Sequence, residues 1–152
     1  MSNILNEPAV AYTYDKPFKA LLLNSYPEAK GNQLFMEYSR NGVEKSSIKI
    51  LADFMGLNQE TISTFLHSSF RNIQRKSDDE LLDKSKSERL LELTAFAKKA
   101  VEVLGSQEAL GIWLQSSLPA LSYNKPVEYL DTSFGLNILY DILGRIEHGV
   151  YA

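Results

Sequence analysis

Between Ser87 and Leu104 apolar residues fall at Leu90, Leu91, Leu93, Ala95, Phe96, Ala97, Ala100, Val101, Val103 and Leu104, a broad stripe at helical spacing that runs into Gly105. Glycine adopts the left-handed C-terminal conformation without strain, so Gly105 is the natural stop. A helix this wide in its apolar face must be covered by other elements, and strand signals elsewhere are weak. The expected fold class is therefore all-α.

Shorter helices follow from punctuation. Asn32 to Arg40 reads as one, ended by Asn41-Gly42; Ser46 or Ser47 can cap another that carries Ile48, Ile50, Leu51, Phe54 and Met55 before Gly56. Ser106 with Glu108 opens a helix through Leu114. Gln115 to Lys125, with Ser116, Ser117, Pro119, Ser122 and Asn124, reads as a loop, and Pro126 suits the first turn of a short helix. Asp131, Thr132 or Ser133 can cap a last helix through about Leu143. Three prolines and three tyrosines among residues 1–31, with only Lys19 to Leu23 looking regular, suggest an arm. The acidic run Asp78, Asp79, Glu80 and the residues to Ser87 mark a seam. The expected organisation is an extension over 1–41, a helical unit over 42–84, and a connecting helix with a second unit over 85–152.

Composition narrows the function. At 152 residues and 44% hydrophobic content the chain can bury a real core. With no cysteine and only His67 and His148, a disulfide framework, a thiol nucleophile and an all-protein metal site are not expected. No run of about 18 apolar residues exists to span a bilayer, and Met1 to Val10 lacks the basic start of a leader, so the expected location is the cytoplasm with no membrane contact. Ser, His and Asp occur without a nucleophile motif, a phosphate loop or clustered carboxylates, so neither an enzyme nor a cofactor is expected. The net charge of −3 is uneven: Arg40 to Lys76 holds six basic and three acidic residues.

That basic stretch contains a helix-turn-helix pattern. Asn58 caps a helix through Leu66 with Ile62 and Phe65 inward, His67-Ser68 form a turn, and Ser69 caps a second short helix with Ile73 as its inward anchor. Base edges need hydrogen-bonding groups and phosphates need cations; the candidate DNA contacts are Gln59, Ser69, Arg71, Asn72, Gln74, Arg75 and Lys76. His67 stands where such modules commonly place glycine, because the backbone there favours positive φ. The alternative is two ordinary short helices with a solvated face.

The chain closes on Leu143-Gly144-Arg145-Ile146-Glu147-His148-Gly149-Val150-Tyr151-Ala152, an apolar helix end that runs into a charged, aromatic-tipped tail. With Trp113-Leu114, Pro119-Ala120-Leu121 and the Pro126 helix that ends in Leu130, this ending resembles the toxin-binding domain of Xre/MbcA/ParS antitoxins. Gly42 to Lys76 is similar to the Xre-like helix-turn-helix half, and Ser85, Ser87, Glu88 and Arg89 with the long helix resemble the connecting segment. Two positions depart from the family pattern: the His67-Ser68 turn, and Ser122-Tyr123-Asn124, where a glycine-containing turn is more usual.

The resemblance implies a type II antitoxin whose partner is a RES-domain toxin that depletes cellular NAD. It implies neutralisation by covering the entrance to the toxin's NAD pocket with the C-terminal domain and tail, and binding of the chain's own operator; a homodimer is expected because two recognition helices are needed for useful operator affinity. The toxin contacts expected on that basis are Leu143, Arg145, Ile146, Glu147, His148, Val150 and Tyr151, while Trp113, Leu114, Leu121 and Leu130 are expected in the core. A free-standing helix-turn-helix regulator with a C-terminal dimerisation domain remains the alternative.

Overall fold

In the computed structural model, which describes residues 17–23 and 28–149, the apolar stripe is the spine of the molecule. Eight α-helices occur among the described residues: α1 (Pro17–Leu22), α2 (Glu28–Asn41), α3 (Ser46–Met55), α4 (Gln59–Phe65), α5 (Phe70–Gln74), α6 (Lys84–Leu104), α7 (Gln107–Leu114) and α8 (Ser133–Glu147). Two 3-10 turns, Pro119–Leu121 and Pro126–Tyr129, lie between α7 and α8. The fold is all-α; a single bridge between Glu44 and Leu81 is the nearest approach to a sheet among the described residues.

Helix α6 begins three residues before the expected Ser87 because Asp83 caps it, its carboxylate accepting the Lys86 N–H at 2.8 Å. Gly105 ends it at φ +105°, as its position required. Leu90, Leu93, Phe96, Ala97 and Ala100 are fully buried along it. Helices α2, α3, α7 and α8 all pack on it, so one apolar core runs through both halves of the chain. Burying each of the larger side chains contributes about 2 kcal/mol, so the spine carries a large share of the stability. Trp113, Leu114, Leu121 and Leu130 join this core as expected.

The punctuation is realised with one exception. Asn58, Ser69, Ser106 and Thr132 each accept a backbone N–H from three residues on, at 2.8, 3.1, 3.0 and 2.9 Å. Helix α3, expected to be capped by Ser46 or Ser47, has Lys45 at the cap position and no side-chain cap. The chain itself takes over there: Ser46 N–H donates to the Asp78 carbonyl at 3.0 Å and Lys45 N–H to that of Glu80 at 2.9 Å. The acidic seam is thus stitched back onto the start of α3. Leu82 N–H reaches the Val43 carbonyl at 2.8 Å, and the buried Ser87 hydroxyl accepts from Val43 N–H while donating to the Leu82 carbonyl.

The N-terminal arm is corrected wherever it is described. Helix α1 buries Phe18, Leu21 and Leu22 and packs on α3; α2 begins at Glu28, not Asn32, and packs on α6. The Phe18 and Tyr38 rings meet edge-on at 6.0 Å. Six residues are too few to form a stable helix by propensity, and tertiary packing supplies what the local sequence lacks.

Candidate functional site

Helices α4 and α5 form the expected helix-turn-helix. Ile62, Phe65 and Ile73 are buried, so α5 is held from beneath and its outer side is free. Arg71, Gln74 and Arg75 stand at i, i+3 and i+4 and share a face, with Asn72 beside them; all four are exposed. Ser69 spends its hydroxyl on the cap of α5. Lys76 is half-buried and paired with Glu80 at 3.2 Å, while its carbonyl receives Lys45 Nζ at 2.8 Å. Gln59 opens α4 and lines, with Lys45, Ser46, Lys49, Phe70, Gln74 and Asp78, a groove of about 270 Å³. Lys49 is absent from the expected set. It projects from α3 one helical turn beyond Lys45, a spacing that places both cations on the same edge of the groove.

The turn between the two helices is left-handed where the pattern called for glycine: His67 sits at φ +59°. A residue with a Cβ gives up roughly 1 kcal/mol in that conformation. Its geometry is still closed, with His67 N–H on the Thr64 carbonyl at 2.9 Å and Ser68 N–H on that of Ser63 at 3.1 Å.

In the C-terminal unit, α8 continues four residues past the expected Leu143, so the charged ending is helical through Glu147. This changes which side chains are available. Leu143, expected as an anchor for a partner, is fully buried in the core and offers no surface. Ile146 is half-buried and packs against the core, while Arg145, Glu147 and His148 are exposed. Val150 and Tyr151 lie outside the described residues. Glu147 accepts from Lys99 Nζ at 3.0 Å, pinning the end of α8 to the spine and raising the Lys99 pKa through that hydrogen bond.

Two apolar side chains on α8 that sequence reasoning passed over point outward. Phe134 is 83% exposed and Ile138 45% exposed, one helical turn apart. The sequence alone does not single them out, since Ile138 stands four residues before the buried Ile142 and apolar residues surround most of the helix; packing decides which are left outside. Helix α8 starts tightly. A Cβ on Gly135 would stand 2.0 Å from the Tyr129 carbonyl oxygen, so only glycine lets the helix close on the preceding 3-10 turn.

The loop before that turn holds a second left-handed stretch, Ser122 at φ +55° and Tyr123 at φ +68°. Leu118 closes it: its carbonyl accepts from Leu121 N–H at 2.9 Å and Tyr123 N–H at 2.8 Å, and its own N–H donates to the Asn124 carbonyl at 3.1 Å.

Arg89 joins the helix-turn-helix to the C-terminal unit. Its Nε donates to the Phe65 carbonyl, the last residue of α4, at 3.2 Å, and its guanidinium also bonds to the Leu130 carbonyl and to Glu92. Glu92 in turn accepts from the Ser133 hydroxyl at 2.9 Å, at the first residue of α8. Bonds to three partners from a mostly covered, charged side chain make this a firm polar tie between the halves.

Comparison with known proteins gives the two units their kinship. Residues 35–94 match the family model of the antitoxin Xre-like helix-turn-helix domain, and residues 99–149 match that of the antitoxin Xre/MbcA/ParS C-terminal toxin-binding domain. Antitoxin Xre of Yersinia enterocolitica is 28% identical over 80 residues, a match that covers 52% of this chain and spans about half, 54%, of that relative. With a helix-turn-helix domain that presents Arg71 and Arg75 and a toxin-binding domain that presents α8, the chain belongs to the Xre/MbcA/ParS-type antitoxins.

Proposed function

We propose that this protein is the antitoxin of a type II system in the cytoplasm. Its C-terminal unit covers the entrance to the NAD pocket of a RES-domain toxin that depletes cellular NAD. Its helix-turn-helix, brought together in a homodimer, binds the operator of its own operon. The observation that carries this reading is the outer face of α8. Phe134 and Ile138 supply apolar anchors, and Arg145, Glu147 and His148 supply polar contacts at the helix end, within the residues that match a toxin-binding domain. Occlusion asks no chemistry of this chain; it asks for anchors that desolvate and a few charge-assisted hydrogen bonds.

The exposed row on α5 supports the second activity. Arg71 and Arg75 are placed to meet phosphates, and Asn72 and Gln74 to meet base edges. Two such helices at half-site spacing would give useful operator affinity, which is the reason for proposing a dimer.

The test is coexpression with the RES-domain toxin that this reading expects to be encoded beside this chain. Cellular NAD should hold with the full chain and fall with a version in which Phe134 and Ile138 are both changed to Asp. NAD that falls even with the full chain would overturn the toxin reading. Operator binding in the absence of any toxin effect would favour the free-standing regulator instead. Light scattering that gives only a 17.1 kDa species at micromolar concentration would remove the homodimer.

A further inference from the structure

The loop from Leu118 to Asn124 places Tyr123 in a conformation its residue type disfavours and then leaves its ring uncovered. Two consecutive left-handed residues with side chains, Ser122 and Tyr123, are held by their backbone N–H groups, which donate to the Pro119 and Leu118 carbonyls. Glycine or asparagine would occupy either position with less strain, and an asparagine stands next to them at 124. Turn chemistry therefore does not account for the tyrosine. Core packing does not account for it either: Tyr123 is 70% exposed and is not among the side chains packed on the core.

Strain held by the surrounding structure at an exposed aromatic is the pattern of a binding contact rather than of a fold determinant. We propose that Tyr123, which lies within the residues that match a toxin-binding domain, is an anchor for the toxin, seated in a pocket of the toxin's surface. The inference rests on the toxin-neutralising reading above and adds a second contact point, separate in sequence from α8. A rigid loop suits the role. The closed turn presents the ring in one place, so little ordering remains to oppose binding, and tyrosine offers a flat apolar body with one hydrogen-bonding tip.

The test compares the full chain with Tyr123→Asn, Tyr123→Phe and Ser122→Gly in titrations against the same RES-domain protein, with thermal unfolding of each variant alone. Tyr123→Asn should unfold at or above the parent's temperature, because the strain is eased, yet bind the toxin at least tenfold more weakly. Tyr123→Phe should keep most of the affinity, and Ser122→Gly should keep all of it.

A parent chain that binds the toxin, with Tyr123→Asn binding equally well, overturns this inference and leaves the toxin reading standing. A parent chain that does not bind overturns both. A Tyr123→Asn chain that unfolds at lower temperature and loses operator binding as well would make Tyr123 a structural residue. A Tyr123→Asn chain that changes its sedimentation but not its toxin affinity would assign the ring to a second copy of the chain. Either of these last two results overturns the inference.

Discussion

Helices α5 and α8 each hold exposed side chains on one face, and the two faces are built from different materials. Helix α5 is five residues long and turns Arg71, Asn72 and Gln74 outward, with Phe70 half-buried at its start and a single buried residue, Ile73, beneath. Helix α8 is 15 residues long, buries five residues, and still exposes Phe134 and Ile138. A row of Arg, Asn and Gln suits a charged, hydrated polymer, where counterion release supplies affinity and salt weakens it. Exposed Phe and Ile suit a concave apolar surface, where desolvation supplies affinity and salt matters little. The difference indicates that one core supports two surfaces that can be altered independently, except where Arg89 joins them.

The sharpest way to break the comparison is at Gly135. Gly135→Ala forces a Cβ against the Tyr129 backbone, and we expect a loss of about 3 kcal/mol or more in denaturant unfolding, with toxin capture lost as well. A variant that unfolds at the parent's midpoint would show that the helix start can shift.

Next comes Arg89→Ala, which leaves the Phe65 and Leu130 carbonyls without a charged donor. A loss of about 2 kcal/mol is expected, with operator and toxin binding weakened together, because the residue touches both halves. Weakening of only one activity in a folded variant would contradict the tie.

The two faces are then separated by Phe134→Ala and by Arg71→Ala with Arg75→Ala. The first should lower toxin affinity by about 2 kcal/mol at near-constant stability and leave operator binding alone. The arginine pair should reduce the steepness of operator binding against salt by about one for each residue and leave NAD protection intact. Loss of both activities in either folded variant would undo the division.

The smallest effect belongs to the cap of the spine. The hydrogen bonds from the Lys86 side chain and its backbone N–H hold the Asp83 carboxyl below its ordinary value of 3.8. A depressed carboxylate stabilises the fold above that value, and its contribution fades as pH falls through the lower folded value. Asp83→Ala should therefore cost about 0.5–1 kcal/mol at pH 7 and nothing once the carboxyl is protonated. A cost unchanged between pH 7 and pH 2 would show that the cap works without its charge.

Much of this arrangement was legible from single residues. Gly105 and Gly56 stop helices, and Asn58, Ser69, Ser106 and Thr132 start them, because caps act within four residues and need nothing from the rest of the chain. Ile73 was recognisable as an inward anchor by its place amid Arg, Asn and Gln. His67 was recognisable as a left-handed residue by the geometry of the turn it fills. What escaped was whatever depends on distant segments. Lys19 to Leu23 was legible as the regular part of the arm, but its docking was not, because Phe18, Leu21 and Leu22 must find α3; and α3 starts without a side-chain cap because the chain returns at Asp78 and Glu80 to receive its N–H groups.

The candidate toxin face escaped for a related reason. Leu143 and Phe134 are both large apolar residues near an amphipathic helix, and composition alone treats them alike. Which one is covered depends on where the wide apolar surface of α8 meets α6 and the 3-10 turn at Pro126–Tyr129. The sequence by itself determined the all-α class, the spine helix, the helix-turn-helix and the kinship, since each rests on local periodicity, caps or motif spacing. The tertiary structure alone decided which apolar residues remain outside, how Arg89 joins the halves, and that Tyr123 stands strained and uncovered, because burial and long-range hydrogen bonding are properties of the packed chain.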